Sequence, residues 1–210
     1  MNTTEKRDFD KEAAAWDENP MRVKLANDVA DAIIAEAHPT REMEALDFGC
    51  GTGLVTLRLQ PLVKTITGAD SSQGMLAILD AKARKQDLAN VRTQAVDFEH
   101  RERIEGAFDL VVSSMTFHHV QDTVGLLKEV FSLLRPGGTA CIADLEKEDG
   151  SFHPDNTGVF HYGFDREHLR GLFGDAGFCE VRDTTAAHVV RAGKKGTREY
   201  PVLLISGRKP

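Results

Sequence analysis

The chain is poor in cysteine and has no long apolar run. Its three cysteines, Cys50, Cys141 and Cys179, are widely spaced and odd in number, which excludes a disulfide framework and the usual zinc pattern. No stretch approaches the roughly 18 consecutive apolar residues of a membrane helix. Residues 1–12 are polar and lack the apolar centre of a signal peptide. We therefore expect a protein of the reducing cytoplasm, with no membrane partner.

The chain also lacks an excess of positive charge. Its 26 basic and 33 acidic residues give a net charge of −7. An acidic surface repels phosphate backbones, so nucleic acid is not expected as a partner. The exception is the stretch from Arg191 onward, where six basic residues accompany one acid. We interpret this stretch as the charged edge of a hairpin, and an anion-binding patch is the alternative.

Length and periodicity predict one globular unit with a helical extension. The 210 residues suit a single domain, and the sequence contains no internal repeats. Residues 9–18 and 21–37 are predicted as two helices separated by Asn19-Pro20, and apolar residues recur at helical spacing in the second. We therefore predict an N-terminal helical cap over residues 1–40 and one domain over residues 41–210.

Beyond residue 44, candidate strands alternate with helices, which indicates right-handed βαβ units and a parallel sheet. The last two strands have no helix between them, so they must pair antiparallel. The predicted fold is α/β: a Rossmann-like, doubly wound, seven-stranded sheet, mostly parallel, with a reversed C-terminal β-hairpin. The predicted strands are 45–48, 63–69, 91–96, 108–112, 139–145, 178–186 and 200–207.

Polar residues follow the first four strands, at the sheet edge where such folds bind ligands. Glycines after the first strand allow a tight turn and close approach of the backbone to a ligand. A carboxylate at Asp70 can accept hydrogen bonds from two ribose hydroxyls, and one at Asp97 can accept from an exocyclic amine. Each residue alone could be a turn or a helix cap, but together they indicate a nucleoside-shaped cofactor. The residues concerned are Gly49, Gly51, Gly53, Asp70, Asp97, Ser113 and Ser114.

The glycine spacing bears on which cofactor is bound. Dinucleotide-binding turns have the pattern G-x-G-x-x-G, whose third glycine lets helix and strand pack closely. This chain reads G-x-G-x-G, with Leu54 at that third position. A pyrophosphate is therefore less expected, and a nucleotide- or NAD-binding enzyme remains as an alternative.

Six ordered motifs resemble those of class I S-adenosylmethionine-dependent methyltransferases. The segment Phe117-His118-His119-Val120 is similar to the small-molecule branch that includes the quinone-biosynthesis C-methyltransferases. Residues 146–210 follow the family's topology, and the N-terminal helices resemble its variable cap. The six motifs are DFGCGTG at 47–53, ADSS at 69–72, GM at 74–75, VDF at 96–98, FDLVVS at 108–113 and LRPGG at 134–138.

The resemblance implies S-adenosylmethionine as the cofactor and methyl transfer to a small molecule as the reaction. Asp47 would support the glycine loop or the methionine amino group, with Ser113 beside that group. Asp70 would hold the ribose hydroxyls. Around the adenine would lie Ser71, Met75, the carboxylate of Asp97 and the backbone of Phe98. The implied cofactor residues are Asp47, Gly49, Cys50, Gly51, Asp70, Ser71, Met75, Asp97, Phe98 and Ser113, with Trp16 on a lid over the site or packed against the domain.

The acceptor side is harder to predict. In-line displacement at a sulfonium methyl mainly requires alignment of the nucleophile and exclusion of water. A general base helps only when the nucleophile keeps its proton, and histidine titrates in the useful range. His118 and His161 are the leading candidates, with His119 and His153 nearby. No H-E-x-x-H spacing occurs, so we expect hydrogen-bonding histidines and no metal.

Two further functions remain open on the sequence. A non-catalytic S-adenosylmethionine-binding regulator would carry the same cofactor motifs, although the polar loops after the strands favour an enzyme. A nucleic-acid base methylase is less favoured, because the proline-proline-aromatic run of amino-group methylases is replaced by residues 113–117, which read SSMTF.

Overall fold

The N-terminal part of the chain is helical. The computed structural model describes residues 7–96, 104–193 and 196–210. Helix α1 spans Phe9–Glu12, a 3-10 segment spans Ala13–Glu18, and helix α2 spans Pro20–Ala37. The Asn19 side chain accepts hydrogen bonds from two backbone N–H groups of the first turn of α2, so the predicted break lies at an N-cap. The helix ends at His38, in left-handed conformation.

Seven strands form one sheet in the order β3-β2-β1-β4-β5-β7-β6. The first five strands are parallel to one another, and β7 pairs antiparallel with both β5 and β6. The predicted doubly wound sheet with its reversed C-terminal hairpin is confirmed. The strands are β1 (Glu44–Phe48), β2 (Thr65–Asp70), β3 (Val91–Ala95), β4 (Phe108–Ser114), β5 (Leu134–Leu145), β6 (Cys179–Gly193) and β7 (Gly196–Arg208).

The last two strands are longer than predicted. The basic stretch does not form a loop between them, because the antiparallel ladder continues to the pair Gly193 and Gly196. The described part of the chain contains four further α-helices. They are α3 (Leu54–Leu59), α4 (Gln73–Lys85), α5 (Thr123–Leu133) and α6 (Arg166–Asp175).

The core lies on both faces of the sheet. On one face, Leu127 of α5 and Phe173 of α6 pack with Phe48 of β1. On the other, Ile33 of α2 is fully buried in a cluster that includes Leu59 of α3. Helix α2, predicted as part of a cap, therefore shares the core of the domain.

Strand order reverses between β1 and β4, because the chain continues to β2 and β3 on one side of β1 and to β4 and β5 on the other. The loops at the carboxyl ends of these strands therefore diverge and leave a crevice where such sheets bind ligands. Among the described residues, no helix is long and apolar enough to cross a membrane.

We predict that α2 is essential to the stability of the domain. Replacing Ile33 by Ala should lower the free energy of unfolding by about 2–5 kcal/mol, because it removes fully buried methyl groups. Met21→Ala on the exposed face of the same helix should change it by less than about 0.5 kcal/mol. Urea denaturation followed by circular dichroism measures both values. Equal effects of the two substitutions would contradict the shared core.

Candidate functional site

The glycine loop after β1 is hydrogen-bonded to β2 and has open space beside Gly51. The backbone N–H groups of Gly49 and Cys50 both donate to the carbonyl of Ala69, at 2.8 and 3.1 Å. Gly49 has a φ of 69°, and a Cβ there would collide with the side chain of Thr116. Gly51 has a φ of 54°, and apart from its chain neighbours no atom of the described residues lies within 4 Å of the position of its missing Cβ. The loop therefore leaves space for a ligand beside Gly51.

Asp70, at the end of β2, connects the glycine loop to helix α4. One carboxylate oxygen accepts from the Gly51 N–H at 2.8 Å, and the other accepts from the Ser72 N–H at 2.9 Å. Burial raises the pKa of Asp70, and the same two N–H groups offset part of that rise. Ser72 caps α4, whereas the predicted Ser71 is exposed and Met75 is buried at the start of the helix.

Two polar groups near the ends of β1 and β4 are buried without full compensation. Asp47 accepts a hydrogen bond from the Thr56 hydroxyl at 2.6 Å, and no described cation pairs with it. Burial, with the charge of Asp70 in a smaller part, raises the pKa of Asp47 to about 7. The Ser113 hydroxyl is buried with no hydrogen-bond partner among the described residues. Such groups suit a ligand that brings a cation and hydrogen-bond donors.

Strand β3 ends at Ala95, so the predicted adenine contacts at Asp97 and Phe98 come shortly after it. Both residues lie outside the described part of the chain. Their roles stay predictions.

The N-terminal segment, residues 7–18, is bound to the same edge of the sheet. The Asp10 carboxylate accepts from the Ser72 hydroxyl at 2.5 Å and from the Gly74 N–H at 2.7 Å. The Thr52 hydroxyl of the glycine loop donates to Asp17 at 2.6 Å. Neither acid was identified from the sequence, because an aspartate in a polar terminal stretch carries no signal that distinguishes it from a solvated one.

Trp16 belongs to a small aromatic group on this segment. Its ring lies 5.9 Å from that of Phe9 in an edge-to-face arrangement, and the Arg22 guanidinium lies 3.7 Å from its centre. Phe9 also contacts the ring of His119, at 5.2 Å. The segment therefore extends from the glycine loop to the histidines that follow β4.

His118 and Asp144 form a buried pair beyond the ends of β4 and β5. The His118 Nδ1 atom lies 2.7 Å from the carboxylate, which also accepts from the N–H groups of His118 and Leu145. Burial by itself would raise the pKa of Asp144, but His118 and these hydrogen bonds together lower it. Because an ionised carboxylate only accepts hydrogen bonds, Nδ1 carries the proton.

Two more imidazoles complete a cluster around His118. Its Nε2 atom lies 3.2 Å from Nε2 of His153, and Nδ1 of His119 lies 2.7 Å from the carbonyl oxygen of Gly158. One ring nitrogen from each of the three histidines lies within 4.8 Å of the others. Burial, with a smaller electrostatic contribution from His118, lowers the pKa of His119 to about 4 and that of His153 to about 3.

The second predicted catalytic residue, His161, is placed differently. Its Nε2 atom lies 3.0 Å from the carbonyl oxygen of Val120, and its ring lies against Phe164. The structure thus joins the side chain of His118 to His153 and not to His161. The partner that sequence reasoning missed is Asp144, although an acid within the apolar strand residues 140–145 was a usable signal.

Arg191 is an uncompensated cation near this cluster. It donates to the carbonyl oxygen of Phe152 at 2.7 Å and stacks on that ring at 4.0 Å, and the ring also contacts His153. Its Nε atom is buried without a hydrogen-bond partner, and no described carboxylate pairs with it. Burial lowers the pKa of Arg191. A half-buried guanidinium of this kind favours an anionic ligand.

The known sequences that this chain resembles are described as methyltransferases. Residues 45–138 match the profile of a family described as a methyltransferase domain. An uncharacterised methyltransferase of Schizosaccharomyces pombe is 36% identical over 149 residues, covering 64% of this chain and 52% of that protein. A ubiquinone biosynthesis O-methyltransferase of Dinoroseobacter shibae is 28% identical over 175 residues, covering 72% of this chain and 67% of that protein. The chain spans about half the length of most of the curated relatives it matches.

Solved structures share the fold. Haemonchus contortus phosphoethanolamine N-methyltransferase 2, in complex with S-adenosylmethionine, superposes with a TM-score of 0.70 at 15% identity, covering 96% of this chain and 60% of that chain. This similarity shows the shared fold, and the sequence matches confirm the predicted resemblance to class I S-adenosylmethionine-dependent methyltransferases.

The buried Asp47 carboxyl predicts a pH dependence of stability. Its pKa in the folded state, about 7, lies above the ordinary value, so the folded protein holds a proton that the unfolded chain loses near pH 4. The stability that this group contributes is therefore lost as the pH rises towards 7. Relative to Asp47→Asn, the wild-type free energy of unfolding should fall by about 2 kcal/mol between pH 5 and pH 8.

Urea denaturation of both proteins at the two pH values measures this difference. Asp31→Asn, on the exposed side of α2, is the control and should follow the wild type at both pH values. A constant difference between wild type and Asp47→Asn would contradict a raised pKa at Asp47.

Proposed function

We propose that this chain, which carries a class I S-adenosylmethionine-dependent methyltransferase domain, binds S-adenosylmethionine and transfers its methyl group to a small-molecule acceptor. The observation that carries the proposal is the site at the ends of β1 and β2. There, Asp47 is buried and Asp70 is partly buried, beside a glycine loop that is open at Gly51. This combination suits a ligand with an ammonium group, a sulfonium and a ribose diol.

Asp70 would hold the ribose. Each of its oxygens already accepts one backbone hydrogen bond, and each keeps a second lone pair for a ribose hydroxyl. The methionine end would lie along the glycine loop from Gly49 to Gly51, with Cys50 buried behind it. Asp47 would stabilise the amino group, and the orphaned hydroxyl of Ser113 would bond to it.

The adenine would lie towards the start of α4, bordered by Ser71 and Met75. We keep the proposal that the Asp97 carboxylate accepts from the adenine amine and that the Phe98 backbone bonds a ring nitrogen. These two contacts rest on the resemblance alone.

Transfer would then need alignment and exclusion of water. The bound cofactor supplies an activated methyl group, so the protein has to hold the acceptor in line with it. The N-terminal segment, with Phe9 and Trp16, lies between the glycine loop and the histidines and would close the site from solvent.

The acceptor would lie near the histidines and Arg191. His118 is 1% exposed, so it would act on an acceptor through its neighbour His153, while His161 would shape the loop by its bond to Val120. The unpaired Arg191 favours an acceptor with one acidic group. We also keep the proposals of a cytoplasmic location and of no nucleic-acid substrate.

Isothermal titration with S-adenosylmethionine tests the cofactor site. Asp70→Ala should weaken binding roughly a hundredfold, because two charge-assisted hydrogen bonds to the ribose are lost. Asp70→Asn should lose less affinity, since its amide oxygen can still accept a hydrogen bond from a ribose hydroxyl. Asp28→Ala, an exposed acid of α2, controls for net charge and should bind as the wild type does. Undiminished affinity in both folded Asp70 variants would contradict the assignment.

A panel of small carboxylic acids, each paired with its neutral amide, tests the acceptor class. Formation of S-adenosylhomocysteine should be faster with the acids, and Arg191→Gln should raise the KM for an accepted acid roughly tenfold or more. Arg182→Gln, exposed on the same strand, should leave that KM unchanged. Preference for the neutral partners would overturn the role of Arg191, and binding of cofactor without turnover of any compound would favour a regulator.

A further inference from the structure

Three histidines that are dispersed in sequence come together at the acceptor side. His118 and His119 are adjacent in the 3-10 turn after β4, and His153 comes from the segment after β5. We call these three residues the histidine set. Their closest ring nitrogens lie within 4.8 Å of one another.

One spacing within the set matches metal coordination. The Nε2 atoms of His118 and His153 are 3.2 Å apart. Two imidazoles bound to one tetrahedral Zn²⁺, with Zn–N bonds of about 2.0–2.1 Å, place their nitrogens about 3.3 Å apart. One edge of a tetrahedral site is therefore already present, and His119 and His153 are the less buried members that can adjust.

Two rings of the set are held at Nδ1, as the rings of metal-ligating histidines usually are. Nδ1 of His118 donates to the buried carboxylate of Asp144, and Nδ1 of His119 donates to the carbonyl oxygen of Gly158. In these two rings Nε2 is the nitrogen left for a metal ion, and that of His118 already lies 3.2 Å from Nε2 of His153. Carboxylate and backbone partners behind ligating histidines are a regular feature of protein metal sites.

We propose that His118, His119 and His153 form a three-histidine site for a divalent transition-metal ion, Zn²⁺ first, with a fourth position open. Three imidazoles with no ligating carboxylate favour Zn²⁺ and its first-row neighbours over Mg²⁺ or Ca²⁺. The expectation of no metal rested on linear spacing. A search for closely spaced ligands does not find this site, because His119 and His153 lie 34 positions apart in the sequence.

The open position gives the ion a use at the acceptor side. A bound divalent ion polarises an oxygen ligand and lowers its pKa. An acceptor hydroxyl or enol in that position would then release its proton to solvent water, and no side-chain base would be needed. This use rests on the proposed function, whereas the metal site itself does not.

The full chain, stripped with a chelator and dialysed, is titrated with Co²⁺ and followed by its visible absorption. One Co²⁺ per chain with the intense bands of tetrahedral coordination is expected, and Zn²⁺ should displace it. Weak octahedral absorption, or no saturable binding, would overturn the proposal. Titration with S-adenosylmethionine is measured separately, so failure of the metal site and failure of the cofactor site are distinguishable.

Substitutions locate the ion. His153→Ala and His119→Ala should each weaken Co²⁺ binding at least tenfold and abolish the tetrahedral bands, and Asp144→Asn should weaken it about 10–100-fold. His168→Ala, exposed on α6, is the matched control and should bind as the wild type does. Circular dichroism checks the fold, and the less buried His153 gives a variant that should retain it. Wild-type affinity in folded His153→Ala would overturn the assignment.

Discussion

The carboxylate of Asp70 is the contact on which the cofactor side depends. Its two oxygens hold the N–H groups of Gly51 and Ser72, so one side chain fixes both the glycine loop and the first turn of α4. Loss of this side chain would free two backbone donors at once. Because Asp70 lies at the end of a buried strand, its negative charge is unfavourable without a partner. Hydrogen bonds from a ligand with several donors would offset that cost.

A second buried acid organises the acceptor side in a comparable way. Asp144 fixes the tautomer and ring orientation of His118 and also accepts from two backbone N–H groups. Both acids come at or near the carboxyl ends of parallel strands, on opposite sides of the reversal in strand order. In both places a carboxylate near a strand end accepts hydrogen bonds from two backbone N–H groups and so fixes the local course of the chain.

Local pattern was sufficient to predict the sheet, because alternation of strands and helices leaves few topologies. It also predicted Asp70 and the glycine loop, whose chemistry follows directly after a strand. It did not predict the length of β6 and β7, because polar and basic residues continue an antiparallel ladder as readily as they form a loop. Nor did it pair His118 with Asp144 and His153, since those contacts join segments about 30 residues apart and depend on the sheet register.

The hydrogen bonds of the N-terminal segment connect helix α1 to the residues that border the crevice. Asp10 and Asp17 bind groups of α4 and of the glycine loop, so any ligand that moves those groups also changes the segment's anchorage. With the proposed cofactor in the crevice, exchange of one bound molecule for the next would require these hydrogen bonds to open. The residence time of the ligand would then depend on Asp10 and Asp17, and substitutions there could change turnover without altering the chemistry.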